Sequence, residues 1–403
     1  MVYGSKAFYA LALVAVSTYV AREWGAAALG DYSVFLTLLT VASVVAVFGA
    51  DMRYIETAPK VVGKVYAEEK VYATKTVLAV LGQTAVLLPL FGLVVALLVP
   101  GMFWGTFALL FMAVVTITSS ILVSQNRQVL NSVLAFMLRP ALFFVAIAVL
   151  AATGFGFGFS VPVSLIVSFA VVAIIAVFVV GARPRRGFEL RSYFTKQWWD
   201  ASWAYVVIGL YPILFSQADR LLVLQMVGAR ETGFYSAAQN ILNIANYAVN
   251  AVMSMALPLI ASRLANKLPK TDFTKRMKRL SRGLFGFAVL CTVVFVVAGD
   301  LILSVFGEGF SAASLPLVVM SIGLAGGLAF GFPITVLTLS ENRRSVIPLF
   351  VGLLCASLLL SALGIYWWGI LGAAMAAAVS NIASRWVFHI VCVRKTGIST
   401  AVF

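Results

Sequence analysis

The residues best suited to chemistry in this sequence form one polar stripe along an otherwise apolar segment, 233–258. At about 100° per residue, eight hydrogen-bonding side chains fall within an arc of about 120°, and Ala, Ile, Val and Met occupy the opposite face. They are Ser236, Gln239, Asn240, Asn243, Asn246, Tyr247, Asn250 and Ser254. Because amides both donate and accept hydrogen bonds, the stripe predicts the wall of a wet cavity that suits a hydroxyl-rich ligand. The alternative is hydrogen bonding between neighbouring membrane helices, for which Asn contributes about 0.6–2 kcal/mol.

Four charged side chains within apolar segments are the other binding candidates: Arg139, Asp219, Arg220 and Arg385. An Arg at the centre of a membrane helix costs at least ~2.5–3.5 kcal/mol, so it normally faces a cavity or a partner. Arg139 directly precedes Pro140, which weakens the local helix, and its alternative role is an ion pair with Asp219. Asp219 is either structural or a coupling group for H⁺ or Na⁺. Arg385 is a cavity candidate or a side chain that extends to the cytoplasmic surface.

The composition requires that these residues lie in a membrane protein. Apolar residues make up 62% of the 403 residues and charged residues 11%, against about 45–50% and 25% in soluble domains. Apolar runs of about 17–25 residues, the length that crosses a hydrocarbon core of ~30 Å, predict an all-α, polytopic protein. The twelve predicted spans are 6–22, 32–50, 76–99, 103–124, 128–152, 160–182, 200–227, 233–258, 283–303, 313–338, 346–366 and 370–391.

The distribution of basic residues predicts the orientation. Of 29 Lys and Arg, 24 lie at ends reached by an even number of crossings, so the positive-inside rule places both termini in the cytoplasm. The net charge of +15 therefore reflects mainly the basic residues at the cytoplasmic ends of the spans. The sequence leaves no room for a folded basic domain that would bind nucleic acid. The loop predicted at 259–282 holds eight basic residues and one acid, Asp272, which favours contact with anionic lipids over a regulatory partner.

Two short stretches recur at matching places in the predicted topology. "GAAALGDYS" (25–33) returns as "GARETGFYS" (228–236), with five of nine positions identical, and "SQNR" (124–127) returns as "SENR" (340–343). Each copy is six spans from its partner, an even number, so the halves point the same way across the membrane. The pattern predicts two parallel-repeat six-helix bundles around a central cavity, with an N-terminal bundle at 1–182, a basic cytoplasmic linker at 183–199 and a C-terminal bundle at 200–403.

The sequence contains none of the common enzymatic motifs. It has no HExxH, no Walker A motif, no CxxC and no carboxylate cluster, and it has three Cys and one His. We therefore expect no enzymatic activity, no metal site and no cofactor.

Three stretches resemble a known family. "YVAREWGAAALGDYSVF", "QADRLLVLQMVGARETGFYSAAQNI" and "GDLILSVFGEGFSAASLPLVVMS" are similar to segments of polysaccharide flippases in the multidrug/oligosaccharidyl-lipid/polysaccharide exporter superfamily. The second stretch is the most specific, with Asp219, Gly228, Gly233 and Tyr235 at the family's positions. The chain is somewhat short for that branch, and it lacks the two extra helices expected of a peptidoglycan lipid-precursor flippase.

The resemblance implies a cargo, a polyprenyl (pyro)phosphate that bears several sugars and is flipped to the outer leaflet of the cell membrane by alternating access. Arg139 is then the first candidate for the phosphate, since its guanidinium fork matches phosphate oxygens. The further binding candidates are Asn240, Asn243, Asn246, Tyr247, Asn250, Arg220 and Arg385. Expected partners are the lipid-linked oligosaccharide, anionic lipids, H⁺ or Na⁺, and a glycan polymerase or assembly complex. The alternatives are a cation-coupled drug antiporter of the same superfamily and a non-transporting scaffold of a glycan assembly complex.

Overall fold

The computed structural model describes residues 2–61, 66–181, 196–264, 270–339 and 346–402, and these ranges contain helices and no strand. Most of the predicted basic linker, 183–199, and the "SENR" stretch therefore lie outside the described residues. The α-helices, in chain order, are α1 (Val2–Val47), α2 (Ala50–Val61), α3 (Tyr66–Leu98), α4 (Ala108–Ser124), α5 (Gln128–Val133), α6 (Arg139–Ala152), α7 (Phe157–Val180), α8 (Lys196–Met226), α9 (Ala229–Leu264), α10 (Lys270–Leu303), α11 (Ser314–Leu328), α12 (Pro333–Leu339) and α13 (Ile347–Thr396).

The helices account for the twelve predicted crossings. Nine helical stretches among the described residues are long and apolar enough to cross a membrane. Two of them, Gly4–Val47 and Ile347–Thr396, would each be roughly 65–75 Å long if straight, about twice the hydrocarbon thickness. Each bends where a glycine leaves helical geometry, at Gly25 (φ 84°, ψ 178°) and Gly369 (φ 56°, ψ −135°), and so supplies two crossings. The polar stripe makes α9 less apolar than these nine, and α9 completes the set.

Two predicted boundaries were wrong, and one span with correctly predicted ends has an irregular interior. Span 313–338 is interrupted, since α11 ends at Leu328 and α12 begins only at Pro333. Between them Gly331 adopts a left-handed conformation (φ 71°), which a right-handed helix does not allow. Span 128–152 contains a π-helical segment, Leu134–Leu138, between α5 and α6. The basic stretch before 283 is not all loop, since α10 begins at Lys270; Lys and Arg are good helix formers.

The chain forms two compact units whose bounds differ from the predicted bundles. Unit 1 comprises Met1–Val16 and Asp31–Leu214, and unit 2 comprises Ser17–Gly30 and Phe215–Phe403. The predicted division at 1–182, 183–199 and 200–403 describes a duplication in the sequence and stays a prediction. Segment 17–30 of α1 is nevertheless part of unit 2, and segment 200–214 is part of unit 1.

Within unit 2 the two copies of the recurring turn contact each other. A Cβ atom on Gly30 would overlap the carbonyl oxygen of Ala229, and a Cβ atom on Gly233 would overlap the carbonyl oxygen of Ala26. The contact is reciprocal, since Ala26 and Ala229 are also equivalent positions of the repeat. Glycine at both sites lets the two backbones approach more closely than any side chain would permit, which is the way small residues pack membrane helices.

The last described residues close the interruption between α11 and α12. Phe332 N donates to Thr400 Oγ1 (2.9 Å), and Val402 N donates to Ala329 O (3.0 Å). The same tail is held by α10, because Ser281 Oγ donates to Thr400 O (2.7 Å). Backbone groups that the broken helix leaves without helical partners are thereby satisfied, as a low-dielectric surrounding requires.

We expect Gly30→Ala and Gly233→Ala each to destabilise the protein by about 1–3 kcal/mol, the usual cost of overpacking, because the new methyl meets backbone. Gly286→Ala is the control, since a Cβ at this α10 glycine meets nothing within 4 Å. The measurement is the thermal unfolding midpoint of the purified protein in detergent. Equal midpoints for all three variants would contradict the close contact.

Candidate functional site

A buried hydrogen-bond network joins α8 to α9 inside unit 2. The Asp219 carboxylate accepts bonds from the Tyr235 hydroxyl, from Gln239 Nε2 (3.0 Å) and from its neighbour's amide, Arg220 N (2.9 Å). Arg220 Nε donates to Gln239 Oε1. All four side chains are at most 8% exposed. Since a buried charge is costly unless it is hydrogen-bonded, the network fixes the two helices in one register.

The network borders a cavity of about 130 Å³ in unit 2. Its walls come from α8, α9, α11 and α13, and five of the lining side chains are amides: Gln217, Gln239, Asn243, Asn246 and Asn381. Asp219 is the only charged residue among the described residues that line it. The remaining walls are Phe215, Ser216, Leu242, Met320, Ala377 and Ala378. A cavity with this lining both donates and accepts hydrogen bonds, as hydroxyl groups of a ligand require.

The predicted stripe on α9 divides between this cavity and helix contacts. Asn243 and Asn246 line the cavity, and Asn246 Nδ2 donates to Asn243 Oδ1 (3.4 Å). Asn240 instead donates to Ser17 Oγ (3.0 Å), which is bonding between helices, the alternative considered for the stripe. Tyr247 is half-buried and Asn250 exposed, and both lie outside the cavity lining.

Arg220 and Arg385 also lie outside the lining, next to residues that belong to it. Arg220 is held by Gln239. Arg385 Nε donates to the cavity residue Asn381 at Oδ1 (3.0 Å), one turn earlier on α13, and its NH1 approaches the carbonyl oxygen of Gly331 (3.5 Å) in the α11–α12 interruption. Their positions make them orienting groups for the cavity amides, and a direct role with substrate stays a prediction.

Arg139 belongs to unit 1, where aromatic rings surround it. Its NH2 donates to the Tyr9 hydroxyl (2.6 Å), and its guanidinium carbon lies 5.1 Å from the Tyr9 ring centroid and 4.9 Å from that of Phe169. This hydrogen bond goes to a phenol and not to a carboxylate, so the charge keeps its affinity for an anion. The π-helical segment Leu134–Leu138 ends immediately before Arg139, and such segments are frequent at functional sites.

Sequence reasoning missed two of the five cavity amides and two roles in the network. Gln217 and Asn381 were not among the predicted binding residues, although a Gln in an apolar span and an Asn four residues before Arg385 were available signals. Tyr235 and Gln239 carry the hydrogen bonds to Asp219, and their spacing of four residues places them on one face of α9.

Comparison with solved structures identifies the fold. No family model and no curated protein matches the sequence. A mutant of the Vibrio cholerae MATE transporter VcmN is 17% identical and matches with a TM-score of 0.61 over 98% of this chain and 95% of its own. An inward-facing multidrug resistance MATE family transporter of the MOP superfamily is 10% identical, with a TM-score of 0.70 over 98% and 96% of the two chains. The lipid II flippase MurJ, in an inward closed conformation, is 10% identical, with a TM-score of 0.62 over 95% and 87%.

The chain thus has the fold of the MOP superfamily transporters, a twelve-helix membrane architecture. This confirms the fold that the three sequence stretches imply. Drug transporters and a lipid flippase are matched about equally well, so the fold does not distinguish between their cargoes.

We expect Tyr235→Phe to lower the free energy of unfolding by about 1–3 kcal/mol, because the buried Asp219 carboxylate loses a hydrogen-bond donor. Tyr366→Phe removes a hydroxyl from a side chain that is 77% exposed, and it should leave stability almost unchanged. The measurement is the thermal unfolding midpoint of each purified variant, which should fall for Tyr235→Phe and not for Tyr366→Phe. Matching midpoints would show that the Tyr235 hydroxyl contributes nothing to stability.

Proposed function

We propose that this protein flips a polyprenyl-(pyro)phosphate-linked oligosaccharide from the inner to the outer leaflet of the cell membrane for surface polysaccharide assembly, by alternating access. Both termini would lie in the cytoplasm. H⁺ or Na⁺, with Asp219 as the coupling candidate, would drive the cycle, and a glycan polymerase or assembly complex would take the product.

The observation that carries this proposal is the amide lining of the cavity in unit 2. Five amides and one serine present donors and acceptors in a space that also has apolar walls. A sugar has the same combination, since its hydroxyls point outward from a ring whose faces are apolar. A drug site for organic cations would be expected to hold more acids, and the described lining holds Asp219 alone, with that carboxylate accepting three hydrogen bonds.

The environment of Arg139 supports an anionic cargo. A guanidinium between two aromatic rings is oriented by them while its remaining N–H groups stay available for phosphate oxygens, and a planar fork binds two such oxygens at once. A lipid-linked sugar carries its charge at one point, the phosphate or pyrophosphate between lipid and sugar, and a guanidinium can bind oxygens there.

Arg139→Ala should reduce surface glycan at least about tenfold and cause lipid-linked intermediates to accumulate inside cells whose surface glycan depends on this protein. Arg139→Lys should retain part of the activity, because it keeps the charge and loses the fork. The measurement is the ratio of internal lipid-linked glycan to surface glycan at matched protein levels. Normal glycan in both variants would contradict an anion-binding role.

Ala377→Phe places a ring in the cavity and should also reduce transport at least about tenfold, a factor that corresponds to 1.4 kcal/mol. Ala383→Phe is the control, since Ala383 lies on the exposed face of the same helix and outside the cavity lining. Both variants are compared by the ratio of internal lipid-linked glycan to surface glycan. Their thermal midpoints are measured first, to show that both are folded.

The two alternative functions, scaffold and drug antiporter, predict different results for these variants. A non-transporting scaffold tolerates both Ala377→Phe and Arg139→Ala as long as the protein folds. A drug antiporter loses export of organic cations in Ala377→Phe cells, while no lipid-linked intermediate accumulates. Transport blocked by Ala377→Phe and unaffected by Ala383→Phe, with intermediate trapped inside, supports the flippase.

A further inference from the structure

A second concavity in unit 2 lies between α9 and α10 and has a different character. It is an open groove of about 580 Å³ with a lining that is mostly apolar, including Leu259 of α9 and Leu284 and Phe287 of α10. Its volume falls within the ≈ 300–1,000 Å³ of sites that hold a small ligand. None of its lining residues belongs to the amide cavity.

One end of the groove is strongly basic. Arg276 and Arg279 line it, three residues apart on the same face of α10, and both are exposed. The surrounding stretch 275–282 carries five basic residues and no acid. This end coincides with the start of the membrane-crossing stretch Lys275–Phe306, so the arginines lie where a lipid headgroup would lie.

Gly283 lines the middle of the groove's α10 wall and has no side chain to occupy it. A Cβ atom at this position would meet nothing within 4 Å, so the space above Gly283 is open. Leu284, the next residue, and Phe287, one turn further along α10, form an apolar continuation. A basic end followed by an apolar channel is complementary to a phospholipid, in which an anionic phosphate is followed by acyl chains.

We propose that this groove is a binding site for one anionic phospholipid of the membrane. Its phosphate lies against Arg276 and Arg279, and an acyl chain runs over Gly283 to Phe287. The two arginines favour a net-negative headgroup over a zwitterionic one, because the ammonium of the latter would be repelled. The site is independent of the cargo that the amide cavity takes.

The test is native mass spectrometry of the full chain in detergent, with dioleoyl phosphatidylglycerol and dioleoyl phosphatidylcholine as probes. We expect one phosphatidylglycerol to be retained at concentrations where phosphatidylcholine is not. Arg276→Ala with Arg279→Ala should weaken this binding about tenfold or more. Lys275→Ala with Lys278→Ala removes the same charge from positions outside the groove lining and should weaken it less than about threefold.

The apolar half of the site is tested by a matched pair of glycine variants. Gly283→Leu fills the groove and should abolish retention of the lipid, whereas Gly286→Leu, one turn away in equally open space and outside the lining, should leave it intact. Should Gly283→Leu fail to purify, the arginine and lysine pairs decide the matter alone.

Three results would overturn the assignment. An equal loss of phosphatidylglycerol binding in the arginine and lysine double variants would mean that the lipid is attracted by overall charge and not held in this groove. Full competition by free glycerol phosphate would mean that only a headgroup is bound. Displacement of phosphatidylglycerol by an equimolar polyprenyl phosphate would assign the groove to a substrate tail and not to a membrane phospholipid.

Discussion

The reciprocal contact of Gly30 with Ala229 and of Gly233 with Ala26 is the constraint on which the rest of unit 2 depends. Helices in lipid gain little from burying apolar surface against one another, so close approach of small residues must hold them together. That approach places the turn preceding α9, and the first turns of α9 bring Tyr235 and Gln239 to Asp219. The amides Asn243 and Asn246 follow on the same helix, so their positions depend on the close approach that Gly30 and Gly233 permit.

The two copies of the repeated turn share the glycines of this contact, but they differ in the polar residues near it. At the offset of 203 residues that relates the two turns, Val16 takes the place of Asp219, Ser17 that of Arg220 and Leu36 that of Gln239. Tyr32, the equivalent of Tyr235, stacks on Phe143 with ring centroids 6.0 Å apart. One copy therefore supports an apolar core and the other a buried polar network, and the amide cavity borders the second.

Much of this could be predicted from the sequence, because composition and periodicity act locally. Apolar runs gave twelve crossings, and the 3.6-residue period aligned Asn243 with Asn246. Which polar residues share a cavity depends on neighbours distant in the chain, so Gln217 and Asn381 were missed and Asn240 proved to contact Ser17. The interruption at 329–332 was missed for a related reason: it is tolerable only because Thr400 and Val402 satisfy its backbone.

That last arrangement has a consequence for biogenesis. The chain emerges from the ribosome in order, so α11 and α12 are made about seventy residues before Thr400, the partner of Phe332. Until then Phe332 N lacks its acceptor and Ala329 O lacks its donor, and water or the insertion machinery must solvate them. Unit 2 can therefore reach its final packing only after Thr400 and Val402 have been made, even though its helices enter the membrane one by one.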